Sequence, residues 1–218
     1  APTPGPAPNC GPNDGALILP LRGTEVEDYR PGLQAAACLL DGGRLYPAGP
    51  WDEALVWLGL QAGKDAPPAP GDGGEDQPQA GLYLLGPVDN RALLRCARFT
   101  SRPGHSDQLH VDLRRGRHPL AIDAGTYLYN GAPPWDNALA SAGVHNTVVV
   151  DELEPMERAG RFLWLQWAQG QVLGRWRSED GRLEAIAAEH DGYSRLGVTH
   201  RRTLIRFDAS AWLVVDDL

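Results

Sequence analysis

The side chains best suited to chemistry lie between Arg102 and His145. Three of them, His105, Asp123 and His145, are metal-ligating types separated by eighteen and twenty-two residues. Each falls beside an expected strand boundary, where a loop can turn a side chain inward. Two imidazoles and one carboxylate leave an open fourth position on a tetrahedral zinc ion, as expected of a site that takes water or substrate. The irregular spacing is not a metal motif by itself. The same three residues also read as a hydrogen-bonded set that fixes loops.

Other candidates surround them. The stretch from Arg91 to His118 carries Arg91, Arg95, Arg98, Arg102, Arg114, Arg115 and Arg117 against Asp107 and Asp112, a basic patch that could meet an anionic ligand or form a solvated sheet face. His110 and Asp112 share the polar face of an alternating run and are candidates for substrate contact. Trp135 follows Pro133-Pro134 and reads either as a loop anchor or as an exposed ring that stacks on a sugar. His190 and Asp191 could be ligands, but Gly192 beside them indicates a structured turn. Trp164, Trp167 and Trp176 read as core or sheet-covering aromatics, and His118 before Pro119 as a surface turn.

The elements that must position these residues divide by period. Helical patterns run over Pro31–Leu40, ended by Gly42-Gly43, and from Pro50 onward, where Trp51, Leu55, Val56, Trp57, Leu58 and Leu60 cover most of the circumference. Such a helix needs neighbours on several sides, so residues 1–62 read as the last hairpin of a larger helical domain. Residues 63–81 are a linker by composition. From residue 82 to 218 the period becomes two. Strands are expected over 82–85, 93–100, 108–113, 119–123, 146–151, 162–168, 171–177, 183–188, 199–207 and 212–215. About ten short strands with turns between them predict an antiparallel β-sandwich.

Composition bounds the function. The 218 residues contain 26 Gly and 19 Pro, which suits short strands and turns. The formal net charge is -8, with all of the excess negative charge in residues 1–90. That balance argues against a general nucleic-acid binder. No apolar run approaches the ~18 to 20 residues of a membrane span. Cys10, Cys38 and Cys96 are too dispersed for a disulfide framework and read as small buried hydrophobes. No leader is visible at Ala1, and both ends look cut, so the chain reads as a fragment of a longer protein.

Several stretches, in order, resemble the heparinase II/III-like polysaccharide lyase family. They are 8–15 (Pro-Asn-Cys-Gly-Pro-Asn-Asp-Gly), 102–113 (Arg-Pro-Gly-His-Ser-Asp-Gln-Leu-His-Val-Asp-Leu), 121–130 (Ala-Ile-Asp-Ala-Gly-Thr-Tyr-Leu-Tyr-Asn), 144–151 (Val-His-Asn-Thr-Val-Val-Val-Asp), 189–193 (Glu-His-Asp-Gly-Tyr) and His200-Arg201-Arg202. The resemblance implies an N-terminal α/α toroid joined to antiparallel β-layers, with a cleft between them. It also implies β-elimination at a uronic acid of an anionic polysaccharide such as a glycosaminoglycan. On it, His105, Asp123 and His145 match the positions that hold zinc in zinc-containing members. A histidine common two residues before His105 is replaced by Pro103, so its part in handling the substrate carboxylate is either missing or moved to another group such as Arg102. Tyr129, with Tyr127, is the candidate β-domain proton-transfer residue. A tyrosine base needs a nearby cation, since a free phenol titrates near ~10. The resemblance further implies packing against the toroid of the same protein, a bacterial periplasmic or secreted setting, and little turnover by this chain alone. A non-catalytic carbohydrate-binding or structural sandwich is the alternative. A cupin-like oxygenase also uses two His and one carboxylate, but there the first two ligands stand one residue apart, unlike here.

Overall fold

A computed structural model describes residues 8–12, 22–25, 28–63, 74–208 and 211–218. The chain forms two compact units, residues 15–73 and residues 1–14 with 74–218. The mainly β, antiparallel architecture expected from the alternation is the one observed.

The smaller unit contains α1 (Arg30–Asp41) and α2 (Glu53–Trp57), the latter entered through a 3-10 turn at Pro50–Asp52. At the start of α1, Asp28 accepts the Arg30 N–H at 3.1 Å and pairs with its guanidinium. At its end, Gly42 takes φ 68° and returns its N–H to Cys38, the left-handed termination that glycine allows at no steric cost. The buried Gln34 joins the pieces. Its amide donates to Tyr46 O and Asp52 Oδ1, and its oxygen accepts the N–H groups of Leu45 and Tyr46. Leu39, Leu40, Val56 and Trp57 are exposed.

Among its described residues, the larger unit holds ten strands. One sheet has the order β1 (Leu82–Leu85), β2 (Asn90–Arg95), β3 (Val111–Arg115), β4 (His118–Ala121). A second has the order β10 (Ala211–Asp217), β9 (His200–Phe207), β8 (Leu183–His190), β7 (Gly170–Arg177), and β5 (Glu157–Gly160) pairs with β6 (Leu163–Leu165). Every pairing is antiparallel. The inward residues Leu85, Ala92, Leu94 and Val111 of the first sheet meet Ile186, Ala188 and Leu204 of the second in one core. Polar ties cross the same interface. Glu184 Oε2 accepts the Gly86 N–H at 2.9 Å, and Trp212 donates to Asn90 Oδ1 at 2.9 Å.

Several expectations need correction. Residues 146–151 are not a strand: Asn146 gives its N–H to a histidine ring, Asp151 and Glu152 adopt positive φ, and only Val150 makes an isolated bridge, to Leu153. The strand expected at 93–100 sits at Asn90–Arg95, and β5 had no alternating signal. The run 108–113 is a strand only from Val111, because Leu109 stands at φ 57° and reverses the alternation. Trp176 is exposed rather than core, whereas Trp164 is buried with Met156, Ala140 and Ala168. The helix from Pro50 gives only a turn and five residues. Cys38 and Cys96 are buried and free, as expected; Cys10 is half-buried. No helix among the described residues is long and apolar enough to cross a membrane.

One glycine tests the entry to β1. Gly81 has φ 68°, and a Cβ there would stand 2.5 Å from Ala97 Cα and 2.8 Å from Cys96 O. Both neighbours are backbone, so neither the dihedral nor the contact can relax cheaply. Gly81→Ala is expected to lower stability by more than the ~1 kcal/mol of the dihedral alone, read as a drop in thermal midpoint. An unchanged midpoint would show that the Gln77–Leu82 turn shifts freely.

Candidate metal centre

Three loops at one end of the sandwich carry the expected ligands. His105 lies on the buried stretch between β2 and β3. There the Ser106 N–H bonds to Ala140 O at 2.8 Å and the Trp164 indole donates to Gly104 O at 3.2 Å. Asp123 follows β4, and its Oδ1 accepts the Gly125 N–H at 2.7 Å, a local turn that fixes the carboxylate. Gly125 is required there: its φ is 67°, and a Cβ would come within 2.0 Å of Asn9 Nδ2, so residues 8–12 pack against this turn. His145 follows the 3-10 turn Ala142–Val144, whose first N–H is held by the Glu154 carboxylate at 3.0 Å.

The three side chains converge. One ligand atom from each of His105, Asp123 and His145 lies within 4.8 Å of the others, and the residues are only 2%, 4% and 7% exposed. The protons can be placed from the partners. Ser141 O lies 2.8 Å from His145 Nδ1, so Nδ1 carries the hydrogen and Nε2 presents a lone pair. That lone pair faces Asp123 Oδ2 at 3.5 Å. Two acceptors facing each other in a buried site require a cation between or upon them. Without a metal, His145 must hold a proton. Burial opposes this, but the Asp123 carboxylate, helped by the Ser141 carbonyl and Asp107, raises the imidazole above its ordinary range. Burial likewise pushes Asp123 up, while its bonds to His145 and Gly125 bring it below the ordinary carboxylate range. His105 is held neutral, first by burial and then by the neighbouring His145. Its Nδ1 is buried without a partner. A deprotonated carboxylate, two neutral imidazoles and a backbone carbonyl orienting one of them match the donor set and outer support of a zinc site. The residues therefore fit the ion.

His110 stands behind the cluster. It is 3% exposed, with its ring edge-on to His145 at 5.4 Å, so it lies inside the unit rather than on a solvated strand face. The Asn146 N–H donates to its Nδ1 at 3.0 Å, leaving the hydrogen on Nε2. That tautomer cannot bind a metal through Nε2. Burial pushes the ring down to about 4.

Arg102, Tyr129 and Trp135 lie on loops, whereas Asp112 is buried on β3. Arg102 is exposed and donates to Phe162 O, and the Phe162 ring meets Tyr129 edge-on at 5.2 Å, so Arg102 and Tyr129 share a neighbour. Trp135 is 54% exposed and pairs with Tyr127, which is 67% exposed, at 6.0 Å. The sequence marked Tyr127 only as a candidate proton-transfer residue, not as a stacking partner, and singled out no role for Phe162. His190 belongs to a different group: its Nε2 lies 3.1 Å from His200 Nδ1, and His200 Nε2 lies 2.7 Å from Asp216 Oδ1. His118 is exposed at the β3–β4 hairpin.

No curated protein sequence matches the chain. Among solved structures, it is similar to the heparan sulfate lyase HepC of Pedobacter heparinus, at 15% identity and a TM-score of 0.58, over 86% of this chain and 27% of that one. A heparinase III gene product aligns at 18% identity and a TM-score of 0.60, over 88% and 27%. Another heparinase III aligns at 14% and 0.57, over 94% and 32%. These likenesses show the fold, and the chain spans about a quarter to a third of those structures. The sequence profile described as heparinase II/III-like, C-terminal, matches residues 69–218, more than half of the chain. The chain belongs to the heparinase II/III-like family, and the match places it in the C-terminal region of that family.

Proposed function

We propose that this chain is the β-rich part of a polysaccharide lyase that cleaves a uronic-acid-containing glycan by β-elimination, and that it supplies a zinc site and one wall of the cleft. The observation that carries the reading is the buried His145–Asp123 pair, two acceptors that need a cation, completed by His105. Solved structures of the same fold include a heparan sulfate lyase and heparinases III, which supports the choice of an acidic glycan.

β-Elimination needs a base for the C5 proton, neutralisation of the uronate carboxylate and a proton for the leaving oxygen. The zinc ion, when bound, supplies positive charge and holds the three loops in one arrangement. Arg102 carries an exposed guanidinium suited to pairing with a carboxylate. Tyr129 is the proton-transferring group, near Arg102 through their shared contact with Phe162. Trp135, with Tyr127, offers a ring face for a sugar. His110 backs the cluster from inside. The exposed Leu39, Leu40, Val56 and Trp57 of the helical unit are the surface on which further helices of a toroid would pack.

The test is ultraviolet detection of unsaturated uronate when the full-length protein meets heparan-type, alginate-type and other uronate polysaccharides. Product is expected from the full-length protein and little or none from the 218-residue chain, because the lyase reading places further acid–base groups on the toroid. Saturated products would replace elimination with hydrolysis. Binding without cleavage by the full-length protein would favour the second reading, a carbohydrate-binding sandwich, which the exposed Tyr127–Trp135 pair supports.

A further inference from the structure

Arg202 is the most heavily engaged cation near the candidate centre. It lies on β9 opposite Asp216 of β10 and is 5% exposed. Its Nε and Nη2 donate to the two carboxylate oxygens of Asp216 at 2.8 and 2.9 Å. Its Nη1 points the other way and donates to two backbone carbonyls, Leu109 O at 2.6 Å and Asn146 O at 2.5 Å. A buried guanidinium is costly unless fully paired, and this one is anchored by a carboxylate so that its free end can grip two loops.

The gripped residues matter. Leu109 ends the segment that begins at His105, and Asn146 follows His145 directly. Leu109 holds φ 57°, a left-handed conformation that a branched side chain adopts only when its surroundings enforce it. The Asn146 side chain extends the lacing, donating to Val111 O at 3.0 Å and to Ile122 O, next to Asp123, at 3.1 Å. Every ligand-bearing segment is thus tied within a few residues of its ligand to one guanidinium or to the asparagine it holds.

We infer that Arg202, anchored by Asp216, is a positioning residue that sets the separation of the His105, Asp123 and His145 segments. The inference rests on the zinc reading above. Lysine keeps the charge but lacks the planar fork that reaches Asp216 and both carbonyls at once. Arg202→Lys is therefore expected to weaken zinc binding about tenfold or more, within the range seen when outer supports of a metal site are lost. The same substitution should change the visible spectrum of the Co(II)-loaded chain, which reports ligand geometry.

The experiment is a chelator-competition titration of the 218-residue chain with zinc, beside its thermal midpoint. Arg202→Lys and Asp216→Asn are compared with Leu204→Ala, which removes a buried core side chain from the same strand, and with the exposed Arg201→Ala. Weakened zinc binding in both clamp variants, with Leu204→Ala staying within twofold of wild type despite a lower midpoint, supports the inference. Zinc affinity that tracks only the midpoint across all four variants overturns it and leaves the zinc site standing, as does unchanged affinity in Arg202→Lys. A wild type that takes up no zinc removes the zinc reading and the inference together. Should Arg202→Lys not fold, Asp216→Asn alone decides, with the same criteria.

Discussion

Replacing His145 with alanine should bring the zinc content of the purified chain from near one equivalent to background. His145 is the ligand whose protonation is fixed from outside, through Ser141 O, and whose free nitrogen faces Asp123. Removing it leaves one imidazole and one carboxylate, too few donors for a tight site. The loss in affinity should exceed the ~10 to 100-fold that removal of an outer support costs. A second consequence separates this from a loop-fixing role. In wild type without metal, the Asp123–His145 contact can be satisfied by a proton, so chelation should lower the thermal midpoint while leaving a folded chain. In His145→Ala, the carboxylate of Asp123 keeps only its Gly125 bond, and the midpoint should no longer respond to zinc or chelator. A folded wild type without zinc after dialysis against the ion would refute the metal centre and return the triad to a purely structural part.

Lowering the pH from 7 towards 4 should sharply reduce the stability of the larger unit, with a buried histidine pair carrying much of the effect. His190 and His200 are essentially buried and form a chain of defined polarity. The Gly192 N–H donates to His190 Nδ1 at 3.1 Å, so His190 Nε2–H donates to His200 Nδ1, and His200 Nε2–H donates to Asp216. Every ring nitrogen is used in the neutral forms, and a proton on either ring places two donors face to face or breaks the Gly192 contact. Burial, and then the nearby His200 and Arg202, push His190 down to about 3. The folded state therefore binds fewer protons than the unfolded chain between about pH 3 and the ordinary histidine value near ~6.5. Stability in that window rises with pH. The full contribution is present above about 6.5 and is lost as pH falls, at up to ~1.4 kcal/mol per pH unit for this group. His110, held near 4 by burial, acts in the same direction. Chemical denaturation of wild type and His190→Gln at pH 4.5 and 6.5 measures the share of the pair. A slope that is unchanged in the variant would assign the acid sensitivity elsewhere.

The candidate ligands were legible through the family resemblance, which singled out His105, Asp123 and His145; their spacing alone is no metal motif. The strands were legible where side chains alternate between the two faces, as in β7 and β9. Where polar backbone groups are satisfied by side chains instead of a ladder, alternation misleads. Residues 146–151 are apolar enough for a strand, yet Asn146 spends its N–H on His110 and its amide on Val111 O of β3 and Ile122 O beyond β4. The buried polar run His105–Asp112 has the same origin: Gln108 bonds Ala97 and Ala168, and Leu109 turns through positive φ.

By itself, the sequence determined the antiparallel β architecture and the family resemblance, and through that resemblance named the candidate trio His105, Asp123 and His145, because these depend on residue type, local period and motif order. Only the tertiary structure decided which face of β9 is inside. The period of two puts His200, Arg202, Leu204 and Arg206 on one side, and charge alone would turn that side to solvent. It is buried because Asp216 and Glu184, brought from neighbouring strands, neutralise the two guanidiniums. Their partners are distant in sequence, so the cost of desolvation and its offset could be weighed only once the sheets were packed.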